Sequence, residues 1–412
     1  MNFEHFIAKR LATSKDHKSS ISAPIIKIAI AAIAIGMIMM IVSIATGIGL
    51  QNTIRQKVAA FNGHIIISNY SNNQSDVSTE PISTVQKFYP NFKTVSGISH
   101  IQAVATKAGI IRTETAFEGV LLKGVDARYD FRNLQEYLVA GRIPNFKSTL
   151  NNEILISKYL ANRLNLKLND ACNTFFMKQN GNLLPNLRRF KIVGIFDSGF
   201  QEFDASYIIG DLRHIQKMNK WLPNQVGSFE VFISDFSQIA KKSEEVYAET
   251  SSVLNTQPIT EKFYYIFEWL KLFDFNILMI IAIMILVSSV NMIVALLVLI
   301  LERTQMIGIL KAVGANNWSV RKIFLYNAFY LIVRGLLWGN GIAIAILVLQ
   351  KKFQILTFPN PEQYYCKIIP VDFNWMFILF LNAGTVSICL LFLIIPSYLI
   401  TKVSPAKAIR FD

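Results

Sequence analysis

Apolar residues gather in four long blocks, at roughly 24–50, 275–301, 323–349 and 375–400, and the stretch 51–272 mixes apolar and polar positions as a water-soluble sequence does. A helix rising about 1.5 Å per residue needs about 20 apolar residues to cross about 30 Å of hydrocarbon, and each block meets that requirement. The pattern therefore predicts four membrane helices, with one large domain inserted between the first and the second. The first block is much longer than the roughly 7–15 residues of a signal-peptide core, and no A-x-A site follows it, so it reads as a retained helix.

Inside the inserted stretch, β-branched and aromatic runs near turn residues predict strands at 64–69, 101–106, 119–124, 174–178, 189–196, 206–209 and 229–233. Helical patterns fall at 158–164, 212–220 and 236–250, which makes the domain α+β. Asn180 and Gly181 signal a hairpin between 175–178 and 190–193, lengthened by Leu183, Leu184 and Pro185. Such a loop projects, so Gln179, Asn180, Gly181, Asn182 and Pro185 form a candidate partner-binding hairpin. Residues 51–60 continue the first block with helix-compatible residues, and 259–272 shows no break before the second. Two helices are thus expected to leave the membrane as a stalk, ordinary juxtamembrane loops being the alternative.

Basic residues flanking the blocks set the orientation, because Lys and Arg are enriched on the cytoplasmic side. Lys9, Arg10, Lys15, Lys18 and Lys27 precede the first block, Arg303, Lys311, Arg321 and Lys322 lie between the second and third, and Lys402, Lys407 and Arg410 close the chain. Both termini are then cytoplasmic and the large domain is outside, with Lys351, Lys352 and Lys367 a weaker contrary signal. The plan reads as an amphipathic segment (1–23), first helix (24–50), external domain with stalk (51–272) and second helix (273–301). A cytoplasmic connection (302–322), third helix (323–350), external loop (351–374), fourth helix (375–400) and cytoplasmic tail (401–412) follow. In the amphipathic segment Phe3, Phe6, Ile7 and Leu11 recur at helical spacing, as in a helix lying on the inner leaflet, a disordered leader being the alternative. Arg334 falls near the centre of the third helix, where an ionised group is costly unless it is paired or hydrated, so it is expected to face a partner helix or a wet groove.

The formal charge of +14 on 412 residues raises the question of nucleic acid, but the basic residues are dispersed and sit beside apolar blocks, as membrane anchors do. Cys172, Cys366 and Cys389 have no metal-ligand spacing; free apolar thiols are expected, with a Cys172–Cys366 bridge the alternative. No G-x-x-x-x-G-K-[ST] loop is present, so any ATP is hydrolysed by another chain. The histidines form no HExxH pair and there is no G-x-S-x-G elbow, so nothing positive marks the chain as an enzyme.

The connection Glu302-Arg303-Thr304-Gln305-Met306-Ile307-Gly308-Ile309-Leu310-Lys311-Ala312-Val313-Gly314-Ala315 places Met306, Ile309, Leu310 and Val313 at helical spacing, with Gly314 suited to a helix end. From physics alone such a helix docks into a cytoplasmic partner or lies on lipid. The segment resembles the E-R-x-x-[EQ]-I-G-I-L-[KR]-A-[LIV]-G-A signature of the FtsX/MacB/Lol class of ABC transporter permeases, with Met306 at the acidic or amide position. The ending, Pro396 with Ser404-Pro405-Ala406-Lys407-Ala408-Ile409-Arg410, resembles the class's P…SPAEALR close, and Gly335 and Gly339 match its small-residue pattern. In the external domain Gly141-Arg142-Ile143-Pro144, Glu153-Ile154-Leu155-Ile156-Ser157 and Phe190–Phe196 with Asp204 resemble its landmarks.

The resemblance implies a MacB-like periplasmic core inserted between helices one and two of a bacterial inner-membrane permease. It further implies a mechanotransmission machine, in which a second permease, the same or a related chain, sits with this one on an ABC ATPase dimer. ATP and Mg are held there, and no cofactor belongs to this chain. Glu302, Arg303, Met306, Ile309, Leu310, Lys311 and Gly314 would couple to the ATPase. Length and layout point to the lipoprotein-releasing Lol type, whose projecting hairpin captures a periplasmic carrier; here the matching loop is shorter than the usual hook and has only Pro185. Two alternatives belong to the same class: an FtsX-like transmitter acting on a periplasmic partner, and MacB-like efflux of small molecules or peptides. Arg334 departs from an apolar position of the class.

Overall fold

The computed structural model describes residues 3–13, 22–72, 75–146, 149–178 and 185–403. The predicted turn residues 179–182, the basic residues Lys15 and Lys18, and the closing motif from Ser404 lie outside the described residues. The chain begins with α1 (Phe3–Thr13) and α2 (Ser22–Asn62). Short helices α3 (Arg132–Gln135), α4 (Lys158–Arg163), α5 (Gln201–Asp204), α6 (Leu212–Asn219), α7 (Ile239–Glu249) and α8 (Ile259–Lys262) follow among the strands. It finishes with α9 (Tyr264–Glu302), α10 (Thr304–Ala312), α11 (Asn317–Phe353), α12 (Pro361–Tyr364), α13 (Trp375–Ser397) and α14 (Leu399–Lys402). Two compact units result, one of Met1–Gln51, Trp269–Leu356 and Ile368–Asp412, the other of Asn52–Glu268 and Thr357–Lys367.

The first unit is the helical bundle. Among the described residues, four segments are long and apolar enough to cross a membrane: Pro24–Asn62, Tyr264–Glu302, Asn317–Phe353 and Trp375–Lys402. Their seam is built from Ile33, Met37 and Ile41 of α2, Met292 and Leu296 of α9, Phe324 and Leu331 of α11, and Cys389 and Leu393 of α13. Apolar side chains gain nothing by leaving lipid for one another, so close packing and polar contacts must hold the seam. Both are present. A Cβ on Gly335 would stand 2.8 Å from the Ile33 side chain, and one on Gly339 would stand 2.7 Å from Met37 Cβ, so these glycines let α11 approach α2. Asn340 and Asn382 exchange amide hydrogen bonds of 2.8 and 3.0 Å between α11 and α13.

Helix α2 runs well past residue 50, where its apolar block ends, and 41 residues reach about 62 Å, twice the hydrocarbon thickness. The other expected stalk helix is not continuous from residue 259. The chain breaks at Phe263 (φ −108°, ψ 45°), between α8 and α9. Its ring packs edge-on against Phe203 at 5.8 Å, and this corner contact outweighs the helix-compatible sequence.

The second unit is the α+β domain, with strands β1 (Ile65–Asn69), β2 (Ile82–Ser83), β3 (Ile98–Arg112), β4 (Phe117–Val125), β5 (Leu138–Gly141) and β6 (Glu153–Ser157). They continue with β7 (Ala171–Phe176), β8 (Asn186–Phe196), β9 (Tyr207–Asp211), β10 (Gln225–Val226), β11 (Ser228–Ile233) and β12 (Leu254–Pro258). The main sheet runs β12-β1-β11-β3-β4-β9-β6-β8-β5, with β7 pairing both β3 and β8. Most neighbours are antiparallel; β4 with β9 and β6 with β8 are parallel. The predicted hairpin is present: Phe176 faces Asn186 and Phe175 faces Leu187 across β7 and β8. Cys172 and Cys366 are separate buried thiols, each pushed up to about 11 by burial.

Candidate coupling and docking sites

Helix α10 is set off from α9 by Arg303 and from α11 by Gly314, whose φ of +102° is a conformation that glycine adopts without strain. Ala315 N donates to Leu310 O at 2.9 Å and closes the end of the helix. The apolar stripe read from the sequence divides in two. Ile307 and Gly308 are buried, and Met306 and Leu310 pack against the bundle. Ile309 (50% exposed) and Val313 (84% exposed) face away, one turn apart, with Gln305 beside them. The outward face is therefore Ile309 and Val313, and Met306 helps to hold α10 in place.

Lys311 also turns inward. Its ammonium donates to the carbonyls of Ile400 at 2.6 Å, Val403 at 2.9 Å and Thr401 at 3.3 Å, capping the end of α14, and burial lowers its pKa. A cation on the last carbonyls of a helix is favoured by the helix dipole and fills acceptors that helix geometry leaves open. Glu302 is exposed at the end of α9, and the Arg303 Nε is buried with no hydrogen-bond partner among the described residues. Arg334 sits on the exposed side of α11, beside the buried Leu331, Ile332 and Gly335.

In the α+β domain the sequence reading missed a buried ionic network. Lys123 of β4 is 1% exposed and Glu230 of β11 is 4% exposed. The Lys123 ammonium donates to Glu230 Oε1 at 2.6 Å and to the carbonyl of Phe61, in the last turn of α2, at 2.5 Å. Gln102 Nε2 supplies the other carboxylate oxygen at 2.8 Å. Burial pulls the Lys123 pKa down while Glu230 pulls it back. Around Phe61, the rings of Phe203, Phe196 and Tyr137 stand 5.0, 5.7 and 6.4 Å away. The end of α2 is thus held by one cation and an aromatic nest. A neighbouring cavity of about 280 Å³ is lined by Lys123, Glu230, Tyr207 and several hydroxyls. Nearby, His64 Nδ1 accepts from Ile233 N at 3.1 Å, and burial drives this imidazole down to about 4.

The end of the sheet formed by β3, β4, β7 and β8 carries exposed and partly exposed apolar side chains. Ile110, Phe175 and Leu187 stand side by side across β3, β7 and β8, and Phe117 pairs with Arg112 two positions along β3. Phe117 is 74% exposed and Met177, just beyond β7, is 76% exposed. Apolar groups clustered on a water-facing surface mark an interaction site. Pro185, the described member of the predicted hairpin set, is exposed directly before β8.

The family model described as FtsX-like permease C-terminal matches residues 278–405, and the MacB-like periplasmic core domain matches residues 28–251. A lipoprotein-releasing system transmembrane protein LolC of Buchnera aphidicola is 23% identical over 399 residues, covering 93% of this chain and 92% of its own. A LolE of the same system from Haemophilus influenzae is 21% identical over 432 residues, covering 99% of each. Among solved structures, the extracellular domain of the ABC-type transporter YknZ from Gram-positive bacteria is 14% identical, covers 47% of this chain and 98% of its own, and has a TM-score of 0.31.

Proposed function

Because the chain belongs to the FtsX-like permease family of ABC transporters with a MacB-like periplasmic core domain, we propose that it is a permease subunit that releases lipoproteins from the inner membrane to a periplasmic carrier. The observation that carries this reading is the similarity to LolC and LolE proteins along almost the whole chain, helices and domain together. Both termini are cytoplasmic in this reading, which rests on the basic flanks of the helices. ATP and its Mg are bound and hydrolysed by a separate ATPase pair. That pair receives Ile309 and Val313 of α10, the apolar side chains the bundle leaves uncovered. A second permease, the same or a related chain, completes the membrane unit. Motion produced at α10 reaches the domain through α2, whose last turn Lys123 and Glu230 grip. The apolar end of β3, β4, β7 and β8 offers the carrier a surface of its own chemistry.

The test is depletion of the protein in its host, followed by fractionation of newly made lipoproteins between inner and outer membranes. Retention in the inner membrane, rescued by the wild type and not by Val313→Glu, is the expected outcome. Val313 is exposed, so the variant blocks docking without opening the bundle. Normal sorting on depletion would reject lipoprotein release and turn attention to a transmitter or an efflux pump of the same family.

A further inference from the structure

A groove of about 760 Å³ lies between α11 and α13, and the coupling scheme above makes no use of it. Two helical stripes form most of its lining, and His5 of α1 completes it beside Tyr326 and Tyr330. Lys322, Leu325 and Phe329 recur every three to four residues along α11, and Ser387, Leu391 and Ile394 do so along α13, with Leu390 beside them. From Trp318 to Tyr330 the groove follows thirteen residues of α11, a rise of about 18 Å, close to the roughly 15 Å of hydrocarbon in one leaflet. Its walls are mainly apolar over that length, with Ser387 and the Tyr330 hydroxyl, 3.2 Å from the His5 ring, as polar groups among them. At the end nearest α10 the chemistry changes. The Lys322 ammonium lies 5.8 Å from the Trp318 ring, and the Arg321 guanidinium lies 5.3 Å from the same ring. Arg321 donates to the Ser397 hydroxyl at 3.1 Å and to the Ile394 carbonyl at 3.2 Å, and neither cation has a carboxylate partner among the described residues.

Two cations without counter-ions among the described residues, beside an indole at the head of a mainly apolar slot one leaflet deep, match a single amphiphile. We infer that this groove binds an anionic phospholipid, its phosphate at Lys322 and Arg321 and one acyl chain lying between α11 and α13. A zwitterionic lipid would bring its own cation to the same place and lose most of the attraction. Each interfacial cation favours an anionic headgroup by about fivefold. The occupied groove would fix the spacing of α11 and α13 on the side of the membrane that carries α10.

Native mass spectrometry of the delipidated full-length protein, titrated with phosphatidylglycerol and phosphatidylcholine of identical acyl chains, tests the site. The wild type is expected to bind its first phosphatidylglycerol about tenfold more tightly than phosphatidylcholine. Lys322→Gln reduces that affinity about fivefold and leaves phosphatidylcholine unchanged. Leu391→Trp fills the groove from an exposed position and weakens both lipids, while Lys322→Arg keeps wild-type binding and controls for folding. Equal affinity for the two lipids in the wild type overturns the inference. So does loss in Lys322→Gln with full retention in Leu391→Trp, because that pattern is charge attraction at the surface without an acyl seat.

Discussion

Replacing Lys123 by Met keeps the length of the side chain and removes its charge, which leaves the Glu230 carboxylate and the Phe61 carbonyl without the donor they share. Both are enclosed: Glu230 is 4% exposed and Phe61 is fully buried. Removing one member of a buried ion pair costs about 3–5 kcal/mol, because the remaining charge is neither solvated nor paired. The Gln102 amide still reaches one carboxylate oxygen, so the expected loss is about 4 kcal/mol, a large share of the roughly 5–15 kcal/mol that holds a domain together. Glu230→Leu combined with Lys123→Met removes both charges and is expected to recover about 2 kcal/mol of it, since apolar replacement of a buried pair is often close to neutral. Cys172, 2% exposed within the same sheet, supplies the assay: pulsed thiol labelling of the full-length protein in graded urea, read at the Cys172 peptide. A single substitution that shifts the labelling transition by less than about 1 kcal/mol, or a double variant no better than the single, refutes the view that this pair grips α2.

Other expectations follow from the same contacts. His64 titrates near 4 when folded and near 6.5 when unfolded, so the unfolded state binds the extra proton first. Stability of the domain should therefore fall as pH drops from about 6.5 to about 4 and level off below, by up to about 3 kcal/mol, and His64→Gln should flatten that part of a pH series of labelling curves. Asn382→Leu strands the Asn340 amide between α11 and α13 and should cost about 1 kcal/mol, seen as a lower melting temperature in detergent. Gly339→Leu places side-chain atoms where Met37 already stands and should push α11 from α2, with a loss of about 1–3 kcal/mol or of expression altogether; an unchanged melt would contradict the close approach.

The helices were legible because lipid imposes a length and a composition that no other environment asks for, and α2, α9, α11 and α13 carry them openly. The continuation of α2 to Asn62 was legible too, since nothing in 51–60 interrupts a helix. Five strands were not, two of which, β2 and β10, are only two residues long. β6 is buried along nearly its whole length and lacks alternation, β12 is polar and ends in proline, and β5 is four residues of an exposed edge. The stripe of α10 was correctly helical, but periodicity does not say which neighbour a face meets, and Met306 and Leu310 face the bundle while Ile309 and Val313 do not. Lys123 and Glu230 carried a usable signal. Lys123 follows Val120, Leu121 and Leu122 in β4, and Glu230 sits among Phe229, Val231 and Phe232 in β11; these are opposite charges inside apolar runs, and buried charges require partners.

The three hydrogen bonds of the Lys311 ammonium join the loop between the second and third membrane helices to the end of the fourth. On that side of the bundle the helices are not independent pistons. A push on α10 is shared at once with α14, and a load hung on the tail beyond Val403 pulls back on α10 through one nitrogen. In the proposed coupling, a bulky protein fused to the carboxyl terminus would thus act as a brake on α10, and a tag placed there would slow the motion it is meant to report.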